Sequence, residues 1–295
     1  MDGPGRLVSL AVLVVRARIG PRPRRLVAVA VAFVIAASTT AAQRRPGPRS
    51  IGGGPVLAWA SPESMDTGAF QFRRLVFRQA SNGDGYGWGV DFPRADENLS
   101  VRLSELTRAP ISLDESGRPN HVLIRLTQPE LFHCPFVMMT EPGGAYFDDR
   151  EAAALRDYVL KGGFFWADDF WGEYAWQFWE SQLRKALPSG KYPIVDLSLD
   201  HPLFHMLMRV PEIPQIPGLG VWLSTRQTSE RGADSAVPHV RAINDAHGRI
   251  MVLMTHNSDY GDGFEEEASD RSYFERFSVR AYGVGVNVLL YSMTH

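Results

Sequence analysis

The chain has 295 residues, of which 44% are hydrophobic and 22% are charged, a composition typical of a globular protein with one sizeable core. Six arginines and a single acid fall within residues 1–42, so the remainder carries a formal charge of −7. A domain of that sign lacks the positive surface that nucleic acids require, and we expect no nucleic-acid partner. The single cysteine, Cys134, excludes an internal disulfide and a cysteine-rich metal site, and we interpret it as a small buried hydrophobic residue.

The first predicted element is an export signal. Arg22, Arg24 and Arg25 precede an apolar run over residues 26–37, and small residues follow as far as Ala42. This order is typical of a secretory signal cleaved after Ala42, and the apolar run is shorter than the roughly 20 residues that span a bilayer. We therefore expect an exported protein, either periplasmic or, if uncleaved, anchored to the inner membrane by residues 26–37. Residues 43–68 are rich in Pro, Gly, Arg and Ser and predict a flexible linker.

Strand and helix patterns alternate through residues 69–295, which we interpret as a single domain. The clearest helix has a capping-box pattern, Asp148 with Glu151, at its start, and Gly162-Gly163 at its end. Alternation of this kind predicts a three-layer α/β fold with a mainly parallel sheet. Residues 200–238 are dense in proline and predict irregular structure. The other predicted elements are strands over 70–77, 121–126, 136–140, 164–167, 192–197, 239–244 and 249–255, and helices that begin at Pro93 and span 174–187 and 274–292.

Polar residues follow several predicted strands, where a parallel sheet binds its ligands. Gathered along one edge, such side chains could perform acid–base chemistry or bind a hard divalent cation. The alternative is that they are helix caps and a structural histidine. The catalytic candidates are Asp168, Asp169, His256 and Glu141, the ligand-binding candidates are Asp91, Trp171, Asn257 and Asp259, and the metal-ligand candidates are Asp168 and Asp169.

Two further features bear on binding. The loop Asn82–Gly89 has glycine at every second position, which does not match the dinucleotide fingerprint and predicts a lid or tight turn. The aromatic residues between Phe164 and Trp179 are numerous enough that some rings could stack on a ligand or line a partner surface. The motifs of serine hydrolases, zinc proteases and P-loop proteins are absent, so the sequence leaves the cofactor unknown and is compatible with none.

Several motifs together resemble a bacterial family named domain of unknown function 4159, over about residues 70–293. The matching segments are Phe72–Leu75, Trp88–Leu99, Arg102–Thr107, Pro129–Phe132, Pro135-Phe136, Gly162–Phe164 with Asp168-Asp169, Asp200–Phe204 and Gly283–Asn287. Because no activity is established for this family, the resemblance implies a fold and not a reaction.

The fold that the resemblance implies is flavodoxin-like, similar to class I glutamine amidotransferases. Those enzymes carry a nucleophilic cysteine in a tight elbow, G-x-C-x-G, after a strand. The corresponding elbow here is Asp168–Gly172, which offers neither a thiol nor a hydroxyl, so we expect no glutaminase activity. The remaining hypotheses are a non-catalytic binding or assembly module of the cell envelope, a hydrolase that uses carboxylates and His256, metal-assisted or not, and a structural partner of a membrane protein.

Overall fold

The computed structural model describes residues 59–61 and 68–295. The predicted signal segment and most of the predicted linker lie outside these residues. Residues 59–61 of the linker lie against the edge of the sheet, where the N–H of Ala60 donates to the carbonyl of Leu123 at 3.1 Å. No helix in the described ranges is long and apolar enough to cross a membrane.

Nine strands form one large sheet and a small two-stranded one within the described residues. In the central strands, successive side chains point to opposite faces of the sheet and enter different hydrophobic cores. This explains why these strands are apolar along most of their length. The strands are β1 (Phe72–Leu75), β2 (Arg78–Gln79), β3 (His121–Ile124), β4 (Phe136–Thr140), β5 (Ala145–Tyr146), β6 (Phe164–Asp168), β7 (Val195–Asp196), β8 (His239–Asn244) and β9 (Ile250–His256).

The helices cover both faces of the large sheet. Val137 and Met139 of β4 pack into the core beneath the second and third helices, while Phe136 and Met138 pack into the core beneath the first, fifth and last. The predicted three-layer arrangement is therefore present. The α-helices are α1 (Arg94–Thr107), α2 (Asp149–Leu160), α3 (Gly172–Ala186), α4 (Leu219–Thr225), α5 (Tyr260–Glu265), α6 (Arg271–Tyr273) and α7 (Val279–Thr294), and a π-helical turn, Phe274–Ser278, leads into α7.

The order of strands across the large sheet is β3-β1-β4-β6-β9-β8-β7. The first five pair in parallel, which confirms the mainly parallel sheet, and β8 and β7 extend it with antiparallel pairing. The carboxyl ends of β1, β4, β6 and β9 consequently lie along one edge. β3 lies on one side of β1 and β4 on the other. The direction in which successive strands are added to the sheet therefore reverses between β1 and β4.

Several local predictions are confirmed and one needs correction. Asp148 and Glu151 form the capping box at the start of α2. Cys134 is buried before β4, and burial raises the pKa of its thiol to about 11. The region 200–238 is not wholly irregular, because residues 219–225 form α4. The first N–H of this helix, on Leu219, donates to Asp262, and the N–H of the preceding Gly218 donates to Glu230. Sequence periodicity does not reveal a helix that depends on such distant partners.

Candidate functional site

Strained backbone is concentrated at the edge where the parallel strands end. Glu141, Asp169 and Asn257 directly follow β4, β6 and β9, with φ of 48°, 59° and 61°, and Asp91 has φ of 61°. A side chain with a Cβ seldom occupies this left-handed region, at a cost of about 1–3 kcal/mol for each residue. Strain of this kind persists only where the surrounding structure fixes the residue, and it is most common at functional sites.

Glu141 fastens the glycine-rich loop to this edge. One of its carboxylate oxygens accepts hydrogen bonds from the backbone N–H groups of Tyr86 and Gly87. A Cβ on Gly85 would lie 2.8 Å from the same carboxylate, which explains a glycine there. The loop is thus a tight turn closed over Glu141. Burial raises the pKa of Glu141 to about 8, although the two N–H donors act in the opposite direction.

We expect Glu141→Gln to remove part of the pH dependence of stability. A carboxyl whose folded pKa is raised from 4.5 to about 8 stabilises the native state fully below the lower value, and this contribution is lost as the pH rises through the upper one. The variant should therefore match the wild type at pH 5 and melt at a higher temperature at pH 9. Thermal unfolding across this range measures the effect, and the exposed Glu115→Gln is the control. Parallel curves for Glu141→Gln and the wild type would contradict the assignment.

Asp168 and Asp169 lie at the end of β6, as predicted, but both side chains have internal partners. Asp168 is fully buried and accepts hydrogen bonds from the Thr255 hydroxyl and, at 3.1 Å, from the N–H of Gly261. Asp169 accepts a hydrogen bond from the indole N–H of Trp171 at 2.9 Å. Burial raises the pKa of Asp168 to about 7, and burial with the nearby Glu141 carboxylate raises the pKa of Asp169 well above its ordinary value.

Neither aspartate caps the helix that follows. The first N–H of α3, on Gly172, donates to the side-chain oxygen of Asn257 at 2.8 Å, and the N–H of Glu173 donates to Asp234 at 3.1 Å. Asn257 also donates to the carbonyl of Val237 at 2.8 Å. The alternative that the strand-end residues are helix caps therefore fits Asn257, and Asp259 at the start of α5, but not Asp168 or Asp169.

His256 lies among aromatic rings, and both of its ring nitrogens have partners within the protein. Arginine can only donate, so the contact from Arg241 at 3.2 Å makes Nδ1 the acceptor, and Nε2–H donates to the carbonyl of Gly172 at 3.0 Å. The ring packs against Phe170 and Trp176. Burial lowers the pKa of His256 to about 4, which keeps it neutral. The ring nitrogens therefore contact Arg241 and a backbone carbonyl rather than the carboxylates of the edge.

Three other carboxylates converge beside Asp168, and we call Asp91, Asp259 and Asp262 the aspartate triad. One oxygen from each lies within 4.8 Å of the others, and all three residues are buried. Burial raises the pKa of each, to about 7 for Asp262. Asp91 and Asp259 are among the ligand-binding candidates predicted from the sequence, whereas Asp262 is not. Its position three residues after a helix-capping aspartate, on the same face of α5, is the signal that could have found it.

Asp91 differs from the other two members of the triad in having no donor. The N–H of Asp262 donates to Asp259 at 2.7 Å, and the N–H of Leu219 donates to Asp262 at 2.6 Å. Neither oxygen of Asp91 accepts a hydrogen bond from any described residue. The carboxylate of Asp91 faces that of Asp262. A hydrogen bond between these two groups requires that one of them is protonated. Asp91 is only 5% exposed, so its charge lacks solvent as well.

Comparison with known proteins agrees with the resemblance noted in the sequence. The model of the family described as Domain of unknown function (DUF4159) matches residues 76–293. No curated protein matches the chain. The matched span contains the glycine-rich loop, the strand-end residues and the whole aspartate triad.

Proposed function

Because the chain belongs to the DUF4159 family, whose name assigns no activity, we propose from its geometry that it is a non-catalytic binding or assembly module of the cell envelope. Its ligand lies at the carboxyl ends of the parallel strands. One observation carries the proposal: Glu141, Asp168 and Asp169 are buried and bonded internally. A general base has to reach a substrate proton directly or through one water, and these side chains are committed elsewhere.

The strand order supports a flavodoxin-like fold. Taken in chain order, the five parallel strands lie in space as second, first, third, fourth and fifth, which is the flavodoxin-like order with its switch point between β1 and β4. We propose that the domain is a flavodoxin-like, amidotransferase-like scaffold. The elbow between β6 and α3, Asp168–Gly172, offers no thiol or hydroxyl where those enzymes have cysteine, and Cys134 precedes β4 at the opposite edge. Glutaminase activity is therefore absent in our proposal.

The proposed partner is an envelope or membrane protein, and the proposed location is the periplasm or the outer face of the inner membrane, as the signal pattern in residues 22–42 predicts. Exposed aromatic rings beside the strand ends support a contact surface there. Tyr86 and Tyr174 are each 57% exposed, and the Tyr174 hydroxyl donates to the carbonyl of Asn82 in the glycine-rich loop. Exposed aromatic rings with polar tips are enriched in protein interfaces.

The alternative function is a metal-assisted hydrolase, and the aspartate triad is the observation that favours it. Three converging carboxylates could hold a cation that lowers the pKa of a bound water. His256, predicted as part of such chemistry, is kept neutral by burial and contacts Arg241 and Gly172 instead.

An activity screen of the purified full chain separates the two functions. Ammonia release from glutamine and hydrolysis of ester, phosphate-ester and peptide substrates would be measured with and without divalent ions. We expect background rates for the wild type and for Asp169→Asn alike. Turnover that Asp169→Asn reduces, while the surface variant Asp114→Asn leaves it intact, would overturn the non-catalytic proposal and support the hydrolase.

The binding half of the proposal needs a positive result. The chain would be crosslinked in intact cells and the adducts counted for the wild type and for Tyr86→Ser with Tyr174→Ser. We expect an envelope-protein adduct that the double variant loses. The control is Phe132→Ser, because Phe132 is 46% exposed but precedes β4 at the opposite edge. An adduct that survives the double variant would contradict the proposed surface.

A further inference from the structure

We infer that the aspartate triad, Asp91, Asp259 and Asp262, binds one divalent cation. This inference rests on the proposed function in one respect, which is that both place a ligand at the same edge of the sheet. The three oxygens lie within 4.8 Å of one another. Oxygens on opposite sides of a Mg²⁺ or Ca²⁺ ion are separated by about 4–5 Å, twice the metal–oxygen distance. The triad therefore has the dimensions of a cation site.

The unpartnered carboxylate of Asp91 points into this space. A Cβ on Gly261 would lie 2.1 Å from Oδ2 of Asp91 and 3.3 Å from Oδ1 of Asp259. The Asp91 carboxylate thus occupies the gap left by the bare glycine, which lies between Asp259 and Asp262 in the sequence. An ionised carboxylate that is 5% exposed and has no donor is costly in a folded protein. A cation at this point supplies the missing partner.

The other two members of the triad are held in the manner of metal ligands. Each accepts one backbone N–H, from Asp262 to Asp259 and from Leu219 to Asp262, and these bonds orient a carboxylate while leaving lone pairs free. Charge balance points the same way. The positive charge of Arg74 lowers the pKa of Asp91, but its guanidinium is already paired with Asp96. Because Arg74 is neutralised by Asp96, it does not compensate the charges of the three buried carboxylates of the triad.

The donor set identifies the class of ion. All three ligands are carboxylates, with no cysteine or histidine among them, which suits Mg²⁺, Ca²⁺ or Mn²⁺ and disfavours Zn²⁺. A second acidic group consists of Asp262, Glu265 and Glu266, and it is less buried than the triad. It serves as the competing location in the test below.

The test is a calorimetric titration of the full chain, stripped with a chelator, with Mn²⁺, Mg²⁺ and Ca²⁺ in turn. We expect one ion per chain and at least about a tenfold weaker affinity in Asp91→Asn, Asp259→Asn and Asp262→Asn. Asp91→Asn removes no hydrogen bond from an N–H donor within the described residues, and asparagine can still bond to Asp262, so the apo variant should fold as well as the wild type, as circular dichroism would show. Asp270→Asn is the matched control, because Asp270 caps α6 as Asp259 caps α5.

Two results would overturn the inference. One is an absence of binding for all three ions at millimolar concentration, in which case a shared proton between Asp91 and Asp262 satisfies the pair. The other is binding that Glu266→Gln weakens and Asp91→Asn does not, which places the ion in the neighbouring group. Neither result bears on the activity screen, so the proposed function is judged separately.

Discussion

Replacing Arg74 with methionine should destabilise the domain more than any other single change considered. Arg74 is fully buried, and its guanidinium is bonded to the equally buried carboxylate of Asp96. The same group donates to the carbonyl of Val90 at 3.0 Å and to the Thr140 hydroxyl at 3.0 Å. It thereby joins β1, β4, α1 and the segment that leads to Asp91. Removing one partner of a buried pair strands the other charge and costs about 3–5 kcal/mol.

Urea unfolding followed by circular dichroism measures this effect. Arg78→Met is the matched control, because Arg78 also pairs with two acids but at an exposed position, where ion pairs contribute little. The double variant Arg74→Met with Asp96→Leu should recover part of the loss, since it removes the stranded charge. A single Arg74→Met variant as stable as Arg78→Met would show that the buried pair does not support the edge of the sheet.

The second large effect is expected from Gly261→Ala. The added methyl group would lie 2.1 Å from Oδ2 of Asp91, so the carboxylate has to move out of the triad. Gly261 lies within α5, where alanine is favoured over glycine by about 1 kcal/mol, so the helix itself tolerates the change. We therefore expect little change in secondary structure and a loss of at least about tenfold in Mn²⁺ affinity.

Gly283→Ala provides the comparison for this variant. Gly283 also lies in a helix, and the nearest atom to its added methyl group, on Met208, is 3.9 Å away. Its Mn²⁺ affinity should equal that of the wild type. Equal affinities in Gly261→Ala, Gly283→Ala and the wild type would mean that the position of Asp91 is irrelevant to cation binding.

The sequence was sufficient to predict those parts of the fold that depend on local signals. Apolar runs such as Phe136–Thr140 and the capping box at Asp148 depend on residues close in sequence, and both are where the patterns predict them. The buried Arg74 was beyond such reasoning. Arginine is mostly exposed in folded proteins, yet all four residues of the strand Phe72–Leu75 are buried. The partner that makes burial tolerable, Asp96, lies on α1 and is brought close only by the tertiary structure.

The edge at which the candidate side chains lie was predicted, but the set of carboxylates that converges there was predicted only in part. The rule that ligands bind beyond parallel strands places Glu141, Asp168 and Asp169 correctly at one edge. It does not say which carboxylates are consumed by internal hydrogen bonds. That depends on donors such as the N–H groups of Tyr86 and Gly87, whose directions are set by a loop conformation. Asp262 was missed because Gly261 and Gly263 around it resemble a loop and conceal a helical turn.

A crystal structure of the full chain soaked in Mn²⁺ tests the central claim most directly. We predict one anomalous-difference peak at about 2.0–2.6 Å from one oxygen each of Asp91, Asp259 and Asp262. A peak at another location would contradict cation binding by the triad. The absence of any peak, with the oxygens of Asp91 and Asp262 at the short separation of a shared proton, would contradict it as well.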